Sequence, residues 1–164
     1  MIYSLDGGTL SCYIECISSG EHNCHAILRR PAMKHISVLA AKHLGVIACP
    51  TNATLFDAAR MMDEEDISSI VLVDDAGYLR GILTRTDILR AALAHPETWQ
   101  QCSCPQWMTR DVITVPPDSS LEDAARLLQQ KHIHRVVVAE NDGTGMAPLA
   151  VLSARDIVYH LVHA

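Results

Sequence analysis

Aromatic residues are scarce in this chain, with two Trp, four Tyr and one Phe among 164 residues. A core must then be assembled from Val, Ile, Leu, Met and Ala, and a hydrophobic content of 49% is ample for one domain or two small interlocked halves. The same scarcity removes the platforms on which single-stranded nucleic acid stacks. Excess basic charge is lacking too. A formal net charge of −6 argues against generic DNA or RNA binding, which needs a basic footprint. No apolar run approaches the roughly 18 residues of a spanning helix, and no basic start leads into an apolar stretch at the N-terminus. The expectation is a soluble, cytoplasmic protein with neither nucleic acid nor membrane as partner.

Cysteine is present, but not in a pattern that implies a disulfide framework. Four of the six fall in the first fifty residues (Cys12, Cys16, Cys24, Cys49) and two, Cys102 and Cys104, near the middle. Without an export signal they are expected as reduced thiols. Cys12, Cys16, His22, Cys24 and His25 are metal-ligand types, yet their spacing fits no standard zinc pattern, so no metal is expected. Cys102-Ser103-Cys104 lacks the two-residue spacer of common redox motifs. No nucleophile with a base stands at interpretable spacing, which points away from an enzyme.

What the chain does have is a repeat. Val46-Ile47-Ala48-Cys49-Pro50, followed by Leu55, Asp57, Ala58, Ala59 and Arg60, returns 66 residues later as Val112-Ile113-Thr114-Val115-Pro116, followed by Leu121, Asp123, Ala124, Ala125 and Arg126. The offset becomes 69 where Thr84-Arg85-Thr86-Asp87-Ile88 meets Ser153-Ala154-Arg155-Asp156-Ile157, so three residues were added after Val138. A long period containing helix and strand signals marks a duplicated supersecondary unit.

Each copy spells strand, helix, strand, strand, helix. Leu55, Ala58, Ala59 and Met62, like Leu121, Ala124, Ala125 and Leu128, give one apolar stripe at helical spacing. Thr54 with Asp57, and Ser120 with Asp123, put a hydroxyl at the N-cap and an acid three residues on, the capping-box arrangement. Ile70–Val73 and Val136–Ala139 are β-branched runs suited to buried strands, each ending in an acidic, Gly-containing turn. Tyr78–Leu83 and Ala147–Leu152 return, and helices follow over about 85–93 and 154–162. Residues 1–43 read as an N-terminal extension, partly ordered at most, with a short helix over 36–42. Residues 44–94 form the first unit, 95–106 a polar linker with Pro96 and Pro105 near its ends, and 107–164 the second unit.

In this order, and twice over, these segments resemble a tandem pair of CBS domains, the cystathionine β-synthase type of regulatory module (a Bateman module). The double-alanine helix, Ile133-His134-Arg135-Val136-Val137-Val138, and the endings Gly81-Ile82-Leu83-Thr84-Arg85-Thr86-Asp87 and Ala150-Val151-Leu152-Ser153-Ala154-Arg155-Asp156 carry the resemblance over about residues 44–163. It implies an α/β (α+β) fold of two β-α-β-β-α units packed with pseudo-twofold symmetry. It also implies clefts between the units, frequent dimerisation, and regulatory binding of adenosine-containing ligands.

The residues make physical sense of that expectation. A strand ending at Leu83 or Leu152 leads into a helix whose first N–H groups lack partners, a favourable place for phosphate, with the hydroxyl of Thr84 or Ser153 alongside. Asp87 and Asp156 offer acceptor-only carboxylates for a ribose diol, the role the family gives the matching Asp. Both pairs also read as capping boxes that need no ligand. Gly81 permits close ligand approach; its counterpart Ala150 departs from that. Arg135 and Arg155 provide forked, permanently charged donors for phosphate, with a surface ion pair as the alternative. His132 and His134 alternate along an incipient strand and should face opposite ways, leaving His134 beside the phosphates. Asp66, Ser68 and Ser69 replace His132, His134 and Arg135 in the first unit, which loses the cationic pair there. The resemblance places adenine between the first strand (Ile47, Ala48; Ile113, Thr114) and the start of the next (Ile67, Ser68; Ile133, His134).

Charge favours the second unit for an anionic ligand. Residues 44–94 carry four Arg against eight acids, whereas residues 107–164 carry five basic residues against seven acids. The sequence thus leads to a stand-alone, noncatalytic sensor, with no obligatory cofactor, that binds AMP, ADP or ATP, forms a homodimer and signals to an unknown effector protein. The alternatives are a structural dimerisation module with empty clefts, or a sensor of an S-adenosylmethionine-type ligand.

Overall fold

The computed structural model describes residues 36–42 and 45–163. The cysteine and histidine set at positions 12–25 lies outside them. The described elements run α1 (Val38–Ala41), β1 (Ala48–Pro50), α2 (Leu55–Glu64), β2 (Ser69–Val73), β3 (Leu79–Thr84), α3 (Arg85–Ala94), β4 (Thr114–Val115), α4 (Leu121–Lys131), β5 (Arg135–Asn141), β6 (Met146–Ser153) and α5 (Ala154–His163), with two short 3-10 turns at Trp99–Gln101 and Cys104–Gln106. This is an α+β fold with two three-stranded sheets, β1-β2-β3 and β4-β5-β6. In each, the first strand pairs parallel with the middle one and the third antiparallel.

The capping signals become hydrogen bonds. Thr54, Thr84 and Ser120 each accept the backbone N–H of the acid three residues on, closing the N-termini of α2, α3 and α4. Both hairpins turn at a glycine with positive φ, Gly77 at 86° and Gly143 at 88°, a conformation that strains any residue with a Cβ. Each sheet carries a bulge at the same repeat position, between Leu72 and Val73 and between Val138 and Ala139. The three added residues lengthen the β5–β6 hairpin. Its tip meets the first unit, where the Tyr78 hydroxyl donates to Asp142 Oδ2 at 2.9 Å, and a Cβ on Gly145 would lie 2.6 Å from the Tyr78 ring.

Among the described residues, three apolar clusters form the core. One lies inside each unit, around Leu55, Met62, Ile70 and Leu83 in the first and Leu121, Val136 and Leu152 in the second. The third, built on Val71, Ile82, Val137 and Ala139, joins the two sheets. Val71 and Val137 are repeat counterparts and both are fully buried, so the pseudo-twofold relation runs through this contact.

The duplication reaches further back than the side chains reveal. Residues 36–41 pack not on the unit they precede but on the second one: Val38 N–H donates to Ser119 O, Leu121 N–H to Ile36 O, and Val38 and Ala41 enter the second unit's core. The segment 95–106, expected as a linker, ends in the mirror arrangement. Leu55 N–H donates to Cys102 O, Cys104 N–H to Ala53 O, and Cys104 is fully buried in the first unit's core. Isolated bridges join Ser37 to Ser120 and Thr54 to Ser103. All these pairs are related by the offset of 66. Cys49, Cys102 and Cys104 are free thiols.

Candidate functional site

A cleft of about 340 Å³ opens between the units, within the size range of small-molecule sites. The first unit supplies the stretch leading into β1 (Val46, Ile47) and the turn between α2 and β2 (Asp66, Ile67, Ser68). The second supplies Arg135 at the start of β5, Ser153 at the end of β6, and Arg155, Asp156 and Tyr159 on the first turns of α5. Lys42, just past α1, completes the rim.

The chemistry concentrates at Asp156. Its Oδ2 accepts Ser153 N–H at 2.7 Å and Ser153 Oγ at 2.6 Å, and Ser153 Oγ accepts Asp156 N–H in return. Its Oδ1 accepts the Lys42 ammonium at 2.9 Å. Burial by itself would raise the Asp156 pKa, but the Ser153 and Lys42 donors together outweigh it and hold the carboxyl below its usual range. The carboxylate is therefore ionised at neutral pH.

Arg135 reaches across to the first unit, where its Nη1 donates to Ser68 Oγ at 3.4 Å. Burial lowers its pKa, partly offset by the charge of Asp87, and a guanidinium stays protonated through such a shift. Arg155 is exposed and has no ion-pair partner among the described residues. Among the described residues the cleft thus offers two cations lacking a carboxylate at ion-pair distance, a third held by Asp156, the carboxylate of Asp66, and an apolar wall.

The expected site residues separate. Ile47, Ser68, Arg135, Ser153, Arg155 and Asp156 share this cleft. Ile133 and His134 instead border a different hollow, between α4 and α5, together with His132. β5 begins only at Arg135, and His132 ends α4 in the left-handed region at φ 53°; strand alternation therefore does not govern the two histidines, and both face one hollow. Ile113 packs against the second unit's core, and Thr114 sits in the β4–β5 ladder.

Thr84 and Asp87 form a closed capping box, with Asp87 Oδ1 taken by Arg90 Nη1 at 3.2 Å. Gly81 is approached closely, but by the chain itself: a Cβ there would lie 2.4 Å from Met108 Sδ and 3.0 Å from Thr109 O, where Ile82 and Thr109 exchange backbone hydrogen bonds. Lys42 and Tyr159 also line the cleft without a signal in the sequence. Both lie where the repeat diverges, Lys42 opposite Met108 and Tyr159 opposite Arg90, so no duplicated pattern marks them. Among the described residues no cluster of three metal-ligating side chains occurs, and no helix is long and apolar enough to cross a membrane.

The family model for the CBS domain matches residues 41–94 and again 106–163. Among curated proteins the chain is 29% identical over 110 residues to inosine-5'-monophosphate dehydrogenase of Halobacterium salinarum, covering 67% of this chain but 21% of that protein. It is 30% identical over 107 residues to the CBS domain-containing protein YhcV of Bacillus subtilis, covering 65% of this chain and 75% of the relative. The chain thus spans about a fifth of the enzyme relative's length. Among solved structures, the CBS domain pair of protein MJ0100, in complex with 5'-methylthioadenosine and S-adenosyl-L-methionine, superposes with a TM-score of 0.68 at 24% identity, over 77% of this chain and 96% of that one. CBSX2 in complex with AMP superposes at 0.60 and 21%, over 72% of this chain and 88% of that one.

Proposed function

The chain belongs to the CBS domain family, and from that premise we propose that it is a noncatalytic regulatory module binding AMP, ADP or ATP in the cleft between its two units. The observation that carries this reading is the convergence of one ionised carboxylate, Asp156, with Lys42, Arg135 and Arg155 beside an apolar wall. Adenine lies against Val46, Ile47 and Ile67, the ribose diol donates to Asp156, and the phosphates meet Arg135, Arg155, the Ser153 hydroxyl and the first amides of α5. The complexes with AMP and with S-adenosyl-L-methionine described for CBSX2 and MJ0100 support an adenosine-bearing occupant. The charge of the cleft favours the nucleotide in this reading. A sulfonium brings a cation to a place already holding three, whereas phosphate meets complementary charge.

Occupancy regulates by population shift: a ligand touching both units favours one relative arrangement, and only its difference in affinity between arrangements transmits a signal. The receiver is a second copy and an effector protein. Leu89 and Leu93 on α3, and Val158 and Val162 on α5, leave apolar side chains exposed, and such side chains suit pairing with another copy. Calorimetric titration with AMP, ADP, ATP and S-adenosylmethionine, combined with a mass measurement, tests the reading. Saturable binding of at least one adenine nucleotide, tighter than S-adenosylmethionine, is expected. A dimer indifferent to every adenosine compound at millimolar concentration would leave only a structural dimerisation module.

A further inference from the structure

Lys42 stands outside every motif of the repeat, yet it occupies the one position a ligand sugar needs. Asp156 Oδ2 is committed to the Ser153 N–H and hydroxyl, so a diol has to come to Oδ1, where the Lys42 ammonium already sits at 2.9 Å. We propose that Lys42 is a displaceable latch: a diol taking Asp156 Oδ1 expels the ammonium, and this loosens the C-terminal end of α1 from the second unit. This rests on the reading of the cleft as a nucleotide site.

Three observations carry it. The pair is part-exposed, with 28% of the Lys42 and 22% of the Asp156 side chain accessible, and ion pairs open to solvent are weak enough for a ligand to outcompete. α1 has four residues and cannot hold its own shape, so it depends on what it docks against. Among the described residues, these contacts at its C-terminal end are buried Ala41, the His160 ring Nε2 at 3.0 Å from Ala41 O, and the Lys42 pair. Two of the three are polar contacts from α5, the helix that also presents Asp156. Finally, the other half has no such connection. Met108 holds the place equivalent to Lys42, and Asp87 Oδ1 is met by Arg90 from its own helix.

The ligand therefore binds only the unlatched arrangement, and its binding energy moves the segment 36–42 against the second unit. Once expelled, the ammonium still borders the cleft beside Arg135 and Arg155. A phosphate-bearing ligand regains from it part of what a bare nucleoside loses.

Hydrogen exchange of peptides spanning residues 36–42, on the full chain with and without AMP, reads the latch directly. In the wild type, AMP should raise exchange at Ala41 and Lys42 N–H, which bond to Ser37 O and Leu39 O, about threefold or more. Lys42→Met should show the raised exchange without AMP and no further rise. It should also bind adenosine about two- to fivefold more tightly than the wild type, since no ion pair remains to be broken. Lys42→Arg, which keeps a cation at that place, should retain the AMP-dependent rise. If AMP binds the wild type yet leaves exchange over 36–42 unchanged, and adenosine binds Lys42→Met no more tightly, the latch is wrong and the nucleotide site stands. If neither AMP nor adenosine binds the wild type at millimolar concentration, both fail.

Discussion

Asp87 and Asp156 hold equivalent places at the starts of α3 and α5, and each gives its Oδ2 to the hydroxyl and N–H of the residue three before it. The halves part company at the other oxygen. Asp87 turns to Arg90 within its own helix and is 7% exposed, whereas Asp156 faces a cleft and is met by a lysine from the far end of the fold. Duplication preserved the scaffold of both sites while four differences, Lys42 for Met108, Arg135 for Ser69, Arg155 for Thr86 and Tyr159 for Arg90, set the lining of one of them apart. A capping box is thus a platform on which a site can be built, not a site in itself.

That asymmetry can be broken most strongly at the two carboxylates. Asp156→Ala should weaken AMP binding about thirtyfold, the loss of charge-assisted hydrogen bonds worth ~2 kcal/mol, while Asp87→Ala should change it less than twofold by calorimetry. Where the halves are alike, substitutions should be alike. Val71→Ala and Val137→Ala remove side chains buried in the same inter-sheet cluster, and denaturant unfolding should show each costing about 2 kcal/mol, two methylenes' worth of burial plus a cavity. A difference above about 1 kcal/mol between them would show that the inter-unit contact is not symmetric.

Thr84→Ala and Ser153→Ala sharpen the point. Each should cost about 1 kcal/mol of stability as a lost N-cap, but only Ser153→Ala should weaken AMP binding as well. The smallest effect belongs to pH. Asp57, Asp74, Asp142 and Asp156 all have lowered pKa values; a hydrogen bond from Thr54 or from neighbouring backbone N–H groups is the leading cause for the first three, and the Ser153 and Lys42 donors overcome burial for the fourth. A carboxyl with a depressed folded pKa contributes stability above its unfolded value near 4 and loses it as pH falls through the folded value. Stability should therefore stay flat on these groups' account between about pH 7 and 5 and decline below about pH 4. Asp156→Asn should remove its share of that acid-range slope, whichever half otherwise dominates.

Much of this was open to inspection in the amino-acid order. The helix starts at Thr54, Thr84 and Ser120 were marked by hydroxyl-to-acid spacing, and the buried strands by runs such as Ile70–Val73, because local chemistry decides both. The extended repeat was not. Val38 matches Cys104 through backbone hydrogen bonds and burial, and Lys42 holds the place of Met108 only by the offset of 66, with neither pair sharing a side chain. Nor does a duplicated pattern reveal whether a motif faces its own copy or the other. Asp156 meets Ile47 and Ser68 of the first unit, while Ile113, Thr114, Ile133 and His134 stay elsewhere; identical halves make the two pairings indistinguishable until tertiary packing chooses. Gly81 was legible as a close approach, but the approaching atoms belong to Met108 and Thr109.

The crossed placement of residues 36–41 and 102–104 makes each half wear the other's lid. Cutting the chain near residue 100 would strip the leading fragment of Cys104 and leave the trailing fragment without Val38, uncovering both interiors at once. Melting should accordingly proceed as a single cooperative event, and an isolated repeat should regain solubility only when its missing strip is supplied as a separate peptide.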